Sequence, residues 1–395
     1  MSRRILYAWE LGGGAGHVMR IKPIAEALRA RGAAVTVAAR NLASARPLSA
    51  AGFDVVPAPR MTHGLNLKLQ AFNYAEILVR AGYGQAENVG ALIAHWRGLI
   101  NSLHADLVIA DFAPGALLGA RAVGVAAATV GTGFALPPPG SPLPSIRPRQ
   151  TPKPDHPKDL EDQVFADVCA ALAPYNAAAA PDLASFFNTG HDELCVFREL
   201  DHVTARGNGV NYAGPVFSSP ESSSTLSPAP SIDVFAYLDG AALSFETMIK
   251  GLAALNKPTL AVVRGQPKFD VAVIAAPSLK ITSQPVAVPQ MLRAAKVAVC
   301  HGGIGLVSQA LLAGVPLAIR PENPEQGGTG LRVEALGAGK MIDGPLAPQA
   351  IAAEIGRIGD DPQFAQAASA FAARHTGYDV SETVSGIVDR LLQEN

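Results

Sequence analysis

Twice in this chain a short apolar run leads straight into glycines and a histidine, and then into a helical pattern. The first instance is Ile5–Ala8, then Gly12-Gly13-Gly14-Ala15-Gly16-His17, then Ile21, Ile24, Ala25 and Leu28 at helical spacing, with Gly32 as a helix stop. The second is Val297–Cys300, then His301-Gly302-Gly303-Ile304-Gly305, then a helix over Leu306–Ala313. Buried strands without polar alternation, separated by helices, form parallel sheets covered on both faces. The rest of the chain keeps that alternation. Ala33–Ala39, Asp54–Val56, Leu107–Ala110 and Ala126–Val130 read as strands, with a helix over Gly115–Val123. Further on, Asp233–Tyr237, Thr259–Val263 and Leu317–Ile319 read as strands, with helices over Leu243–Leu255 and near Ser381–Leu392. The expected fold class is α/β: two Rossmann-like, doubly wound parallel-sheet domains facing across a cleft, with ligands outside the carboxyl ends of the strands.

A length of 395 residues suits two domains at roughly 100–200 residues each. The segment Ser218–Ser231, SSPESSSTLSPAPS, has the composition of a linker. The expected division is a first domain over 1–215, a linker over 216–231, a second domain over 232–378, and a C-terminal helix over 379–395 that can pack back on the first domain. A net charge of −1 argues against a nucleic-acid partner, which would want a basic excess. Cys169, Cys195 and Cys300 are odd in number and widely spaced, so neither a disulfide framework nor a zinc site is indicated. A reducing, cytoplasmic setting fits, and the short apolar run after Arg3 and Arg4 lacks the form of a secretory signal. The apolar stretch Ala113–Gly131 contains Pro114 and Arg121, and reads as buried helix, turn and strand rather than a membrane span. Peripheral membrane contact stays open.

Four constellations carry chemistry. In the first turn, glycines allow a ligand to approach the backbone, and the helix N-terminus favours an anion. The spacing is not that of a dinucleotide fingerprint: His17 falls where the third glycine belongs, and Arg40 rather than an acid follows the second strand. Hydride transfer is therefore disfavoured. His17 is a candidate general base, and its other reading is a helix cap. Asp111 ends a buried strand at the same sheet edge and could orient the His17 imidazole; its other reading is the N-cap of the helix near Pro114. Asp106 lies at the opposite end of that strand. In the second turn His301, Gly302, Gly303 and Gly305 form an anion-binding arrangement with a donor imidazole, or else an ordinary strand–helix turn. Glu325 and Gln326 supply a carboxylate and an amide suited to sugar hydroxyls; alone, they would pass for a solvated loop. Between the strands, 66–104 is largely helical, and its Phe72, Tyr74, Tyr83 and Trp96 serve either core packing or an acceptor wall. The proline-rich segment 137–157 is either a lid or a surface excursion.

These pieces, in this order, resemble family 1 of the glycosyltransferases, the group containing bacterial antibiotic and plant natural-product enzymes. The likeness is strongest over 301–332, HGGIGLVSQALLAGVPLAIRPENPEQGGTGLR, with the upstream pair Pro289-Gln290 and the N-terminal Gly16-His17 also matching. The opening GGGAGH is similar too to the lipid-linked GlcNAc-transferase of peptidoglycan synthesis. The resemblance implies a GT-B fold, an inverting transfer, no metal and no cofactor beyond a UDP- or TDP-linked nucleotide-sugar as substrate. It implies His17 as base and Asp111 as its partner. It assigns the donor to Gly14, Gly16, Pro289, Gln290, His301, Gly302, Gly303, Gly305, Gln309, Glu325 and Gln326. The acceptor, small and apolar, would meet the first domain, over 61–96 and the proline-rich segment. Departures from the family fall on the donor side: Leu306 and Val307 replace hydroxyl residues, Gln309 replaces a ribose-gripping glutamate, Ala287 stands where plant members stack tryptophan, and Tyr237-Leu238-Asp239-Gly240 replaces a glycine–serine ending. Gln309 loosens the demand for a ribose diol, which admits a deoxythymidine donor. A silent nucleotide-sugar-binding protein and a nucleotide-sugar epimerase are the alternatives.

Overall fold

The computed structural model describes residues 2–61, 71–147, 149, 156–204, 206, 210–217, 232–274, 276–344 and 346–393. The expected linker, Ser218–Ser231, lies outside the described residues, as do 66–70 of the helical region and 148 and 150–155 of the proline-rich segment. The chain divides into two units, Met1–Ser218 with Val380–Asn395, and Ser219–Asp379.

Among the described residues the first unit holds seven strands: β1 (Arg4–Trp9), β2 (Ala34–Ala39), β3 (Asp54–Pro57), β4 (Leu107–Asp111), β5 (Ala126–Gly131), β6 (Asp192–Leu194) and β7 (Asn211–Tyr212). All pairings are parallel, in the order β3-β2-β1-β4-β5-β6-β7. The strands are apolar on both faces because both faces are covered. Ile5, Tyr7 and Trp9 of β1 pack with the helix Ala15–Ala30 and with Val384, Ile387, Val388 and Leu391 of the helix Val380–Gln393. Leu6 and Ala8 face the other way, toward Leu92, Ile93 and Trp96 of the helix Ala86–Ser102 and Leu118 of the helix Pro114–Val123. The C-terminal helix is also pinned by Arg390, whose Nε and Nη2 donate to the carboxylate of buried Glu193 at 2.6 and 2.8 Å. Tyr74, Tyr83 and Trp96 are core residues. The described part of the proline-rich segment is tied down: Leu143 N donates to buried Glu161 at 2.8 Å, and Ile146 N donates to the Phe72 carbonyl at 2.7 Å.

Among the described residues the second unit has six parallel strands: β8 (Val234–Asp239), β9 (Thr259–Arg264), β10 (Leu279–Thr282), β11 (Val297–Cys300), β12 (Leu317–Ile319) and β13 (Gly339–Met341). Their order is β10-β9-β8-β11-β12-β13. Val234, Ala236 and Leu238 pack with the helices Phe245–Ala254 and Pro348–Asp360. In both sheets the strand order reverses beside the first strand, between β1 and β4 in one and between β8 and β11 in the other. Such a switch point opens a crevice at the carboxyl ends of the strands, where ligands of doubly wound sheets bind. Among the described residues, no helix is long and apolar enough to cross a membrane.

Candidate functional site

The first switch point gathers His17, Asp111, Trp9 and Arg20. Trp9 and Asp111 are the last residues of β1 and β4 and lie side by side in register. Gly12 and Gly14 turn the chain with φ of 75° and 89°, values that an L side chain rarely adopts. Gly14 is the N-cap of the helix Ala15–Ala30, and no side chain caps the first-turn amides. Ideal Cβ positions at Gly13, Gly14 and Gly16 meet nothing within 4 Å. His17, in the first turn of this helix, points inward and is 8% exposed. Its Nδ1 lies 2.9 Å from Asp111 Oδ1, and its ring stacks on Trp9 with centroids 5.1 Å apart. Asp111 is fully buried and bonds to His17 rather than capping a helix; the helix Pro114–Val123 has Ala113 at its N-cap. Asp106 is instead bonded to Arg4 near the surface.

A carboxylate so deeply buried needs compensation, and Arg20 supplies it. Arg20 Nε donates to Asp111 Oδ2 at 3.0 Å and Nη2 donates to Oδ1. Burial pushes the Asp111 carboxyl up, but the charges of Arg20 and His17 outweigh burial and hold it below the usual carboxylate range. An ionised Asp111 accepts the Nδ1–H of His17 and leaves the lone pair on Nε2. Among the described residues Nε2 has no hydrogen-bond partner. An ideal Cβ on Gly12 would sit 2.6 Å from it and 3.2 Å from the Phe112 ring, so glycine keeps the approach to this nitrogen clear. Phe112 adopts φ 49°, an uncommon conformation for a bulky residue, of the kind found where a site over-determines the backbone. It also lines a small, mostly apolar pocket with Tyr74, Pro114, Leu117, Leu136 and Phe187. Tyr74 therefore serves both core and pocket wall.

The second switch point is built on β8 and β11. His301 follows β11 and is 8% exposed. Its Nε2 accepts the backbone N–H of Asp239 at 3.0 Å, and its Nδ1 donates to the Arg320 carbonyl at 2.9 Å. The imidazole expected to donate to an anion is thus spent on backbone groups of two neighbouring loops, where it holds the turn. The Gly302 N–H donates to Cys300 Sγ at 3.3 Å, which leaves the turn's opening to Gly303 and the helix start behind it. Gly302 has φ 92°, with an ideal Cβ 2.8 Å from the Gln326 carbonyl, so only glycine fits. Gly303 is the N-cap of the helix Ile304–Leu312, and nothing lies within 4 Å of its ideal Cβ. The neighbouring helix start, at Phe245–Ala254, already holds an anion: the Glu322 carboxylate accepts the N–H groups of Leu243 and Ser244 at 3.3 Å and the Ser244 hydroxyl. The Gly303 turn is the open one of the two.

Glu325 and Gln326 sit in the first turn of the helix Pro324–Ala335, not in a loop. Asn323 caps that helix by accepting Gln326 N at 3.0 Å, and the Gln326 side-chain carbonyl accepts Glu322 N at 2.7 Å. Gln309 donates to the Gly305 carbonyl of its own helix at 3.1 Å. Pro289 and Gln290 open a separate helix, Val288–Ala294, and make no hydrogen bond to the His301 turn among the described residues. Arg20, Trp9 and Glu322 carry no motif in the sequence that marks them for these sites. Arg20 left one signal: it is three residues after His17, so both project from one helix face.

No protein-family model matches the sequence, and no curated protein sequence matches it. Solved structures do. The calicheamicin glycosyltransferase CalG4 is 20% identical, with a TM-score of 0.75 over 100% of this chain and 99% of its own. The glycosyltransferase VinC, in complex with DTDP, is 19% identical, with a TM-score of 0.69 over 99% and 100%. The glycosyltransferase SsfS6 of Streptomyces sp. SF2575, complexed with thymidine diphosphate, is 19% identical, with a TM-score of 0.63 over 98% and 99%. The chain has the GT-B fold of these proteins.

Proposed function

We propose that this protein is an inverting glycosyltransferase, moving a sugar from a nucleoside-diphosphate sugar to a hydroxyl of a small apolar acceptor. The observation that carries this reading is the His17–Asp111 pair, whose Nε2 is unengaged among the described residues and sits beside an apolar pocket. Nε2 takes the acceptor's hydroxyl proton as the oxygen attacks the anomeric carbon from the face opposite the leaving group. The bond from that carbon to the diphosphate oxygen breaks, and its electron pair leaves with the nucleoside diphosphate. One displacement inverts the centre. The Gly303 turn and its helix N-terminus stabilise the departing charge, and no step calls for a metal ion. His301 fixes that turn, and Glu325 together with the side-chain amide N–H groups of Gln326 is assigned to the sugar hydroxyls, the Gln326 carbonyl being held by Glu322 N. A deoxythymidine donor is favoured, because Gln309 stands where a glutamate would grip a ribose diol, and two structural neighbours carry thymidine diphosphate.

Calorimetry with TDP and UDP tests the donor, and TDP should bind at least as tightly. Much tighter UDP binding would sink the deoxythymidine assignment. Incubating a TDP-sugar with and without apolar phenols tests the reaction class. Glycoside formation supports transfer; an epimerised donor without acceptor would replace it.

A further inference from the structure

We propose that Arg20 is a positioning residue for the transfer, fixing through Asp111 the tautomer in which His17 can act as a base. This rests on the reading of His17 given above. The geometry is a three-member cluster below the reacting surface. Arg20 is 5% exposed, and its guanidinium grips both oxygens of Asp111, while His17 shares Oδ1. Arg20 Nη2 and His17 Nδ1 lie 3.4 Å apart, both aimed at that oxygen. A fork of this kind fixes the plane of the carboxylate as well as its charge. The carboxylate plane in turn sets the imidazole, which Trp9 holds on one face.

Asp111 alone would be a fully buried acid with one neutral donor, and burial favours the protonated form of such an acid. A protonated Asp111 donates to Nδ1 and drives the imidazole proton onto Nε2. The lone pair that accepts the acceptor's proton is then lost, although every side chain remains in place. The other ionisable groups around Asp111 do not replace Arg20. Tyr7 of β1 is held neutral by burial, and burial likewise pushes the Cys195 thiol up to about 12. Glu193 and Arg390 are paired with each other. Among the described residues, Arg20 is the permanently charged group in contact with the carboxylate.

The test is the tautomer itself, read on the full chain by long-range ¹H–¹⁵N NMR with ¹⁵N-histidine, the His17 signal being identified by its loss in H17Q. The wild type should show Nδ1–H for His17. Arg20→Met should show Nε2–H at pH 7 and return to Nδ1–H as rising pH ionises Asp111. Arg20→Gln, neutral but able to donate once, serves if the methionine variant does not fold, and Arg20→Lys should restore Nδ1–H at pH 7. In transfer assays the neutral variants should lose about 10–100-fold in kcat at pH 7 with KM for the TDP-sugar unchanged, and regain rate at higher pH. A folded neutral variant that keeps Nδ1–H across the range overturns the proposal. If H17Q retains full transfer, the base reading fails instead, whatever the tautomer shows.

Discussion

Gly12→Ala places a methyl group where the base must be reached. The ideal Cβ lies 2.6 Å from His17 Nε2 and 3.2 Å from Phe112 Cδ1. Comfortable heavy-atom contact begins near ~3.5 Å, so the methyl overlaps Nε2 by nearly an ångström. Trp9 and Asp111 hold the imidazole from two sides, so it cannot simply swing away. The φ of 75° adds a backbone cost of roughly 1–2 kcal/mol for alanine. For a domain of this size that lowers Tm by about 2–8 °C, which leaves the protein folded at 25 °C. Transfer should fall by about 10²–10⁴, the range for losing a general base. Nucleotide affinity should hold, because the glycine turn assigned to the diphosphate belongs to the other unit. The assay pairs a melting curve and TDP calorimetry with turnover of a TDP-sugar and a phenol. Wild-type turnover in a folded Gly12→Ala protein would refute the reasoning: Nε2 would not be the atom the acceptor approaches.

Two further predictions follow from buried geometry. Gly302→Ala drives a methyl to within 2.8 Å of the Gln326 carbonyl at φ 92°, so TDP affinity should drop at least ~10-fold while His17 chemistry is untouched; unchanged TDP affinity would make the second glycine turn purely structural. Glu10 is buried, and burial raises its carboxyl from 4.5 to about 7, despite hydrogen bonds from Tyr83 and Gly115 that lower it. The folded state therefore binds the proton more tightly, and this contribution is full below the unfolded value and lost as pH rises through about 7. The loss is on the order of 3 kcal/mol, and it should appear as a fall in Tm between pH 5 and 8 that Glu10→Gln flattens; equal slopes in the two proteins would remove Glu10 as the cause.

Nine of the thirteen strands among the described residues were legible as short apolar runs without polar alternation, and none of their ends moved by more than two residues; β10 and β13 were not expected. Asp111 joined its strand because it pairs in register with Trp9. β6 and β7, of three and two residues with Asp192, Glu193 and Asn211 among them, carry too little pattern to be seen. The helix at Pro324 was readable from Asn323 followed by proline, an N-cap and first-turn pair, yet its polar first turn resembles a loop. His17 and Asp111 stood out because each follows a strand at one sheet edge. Arg20 did not, since a charged residue on a helix normally marks the solvated face. Its burial is decided by a carboxylate 91 positions away in the chain, a contact that only the fold creates. The two nitrogens of His301 were equally beyond reach, because their partners, Asp239 and Arg320, come from two other strand ends.

The central claim is that His17 accepts the acceptor's proton. The most direct measurement is turnover of a TDP-sugar with an apolar phenol by Gly-intact His17→Ala, alongside TDP calorimetry on the same protein. Turnover should fall by about 10²–10⁴ with TDP affinity unchanged. Full turnover by the variant would contradict it.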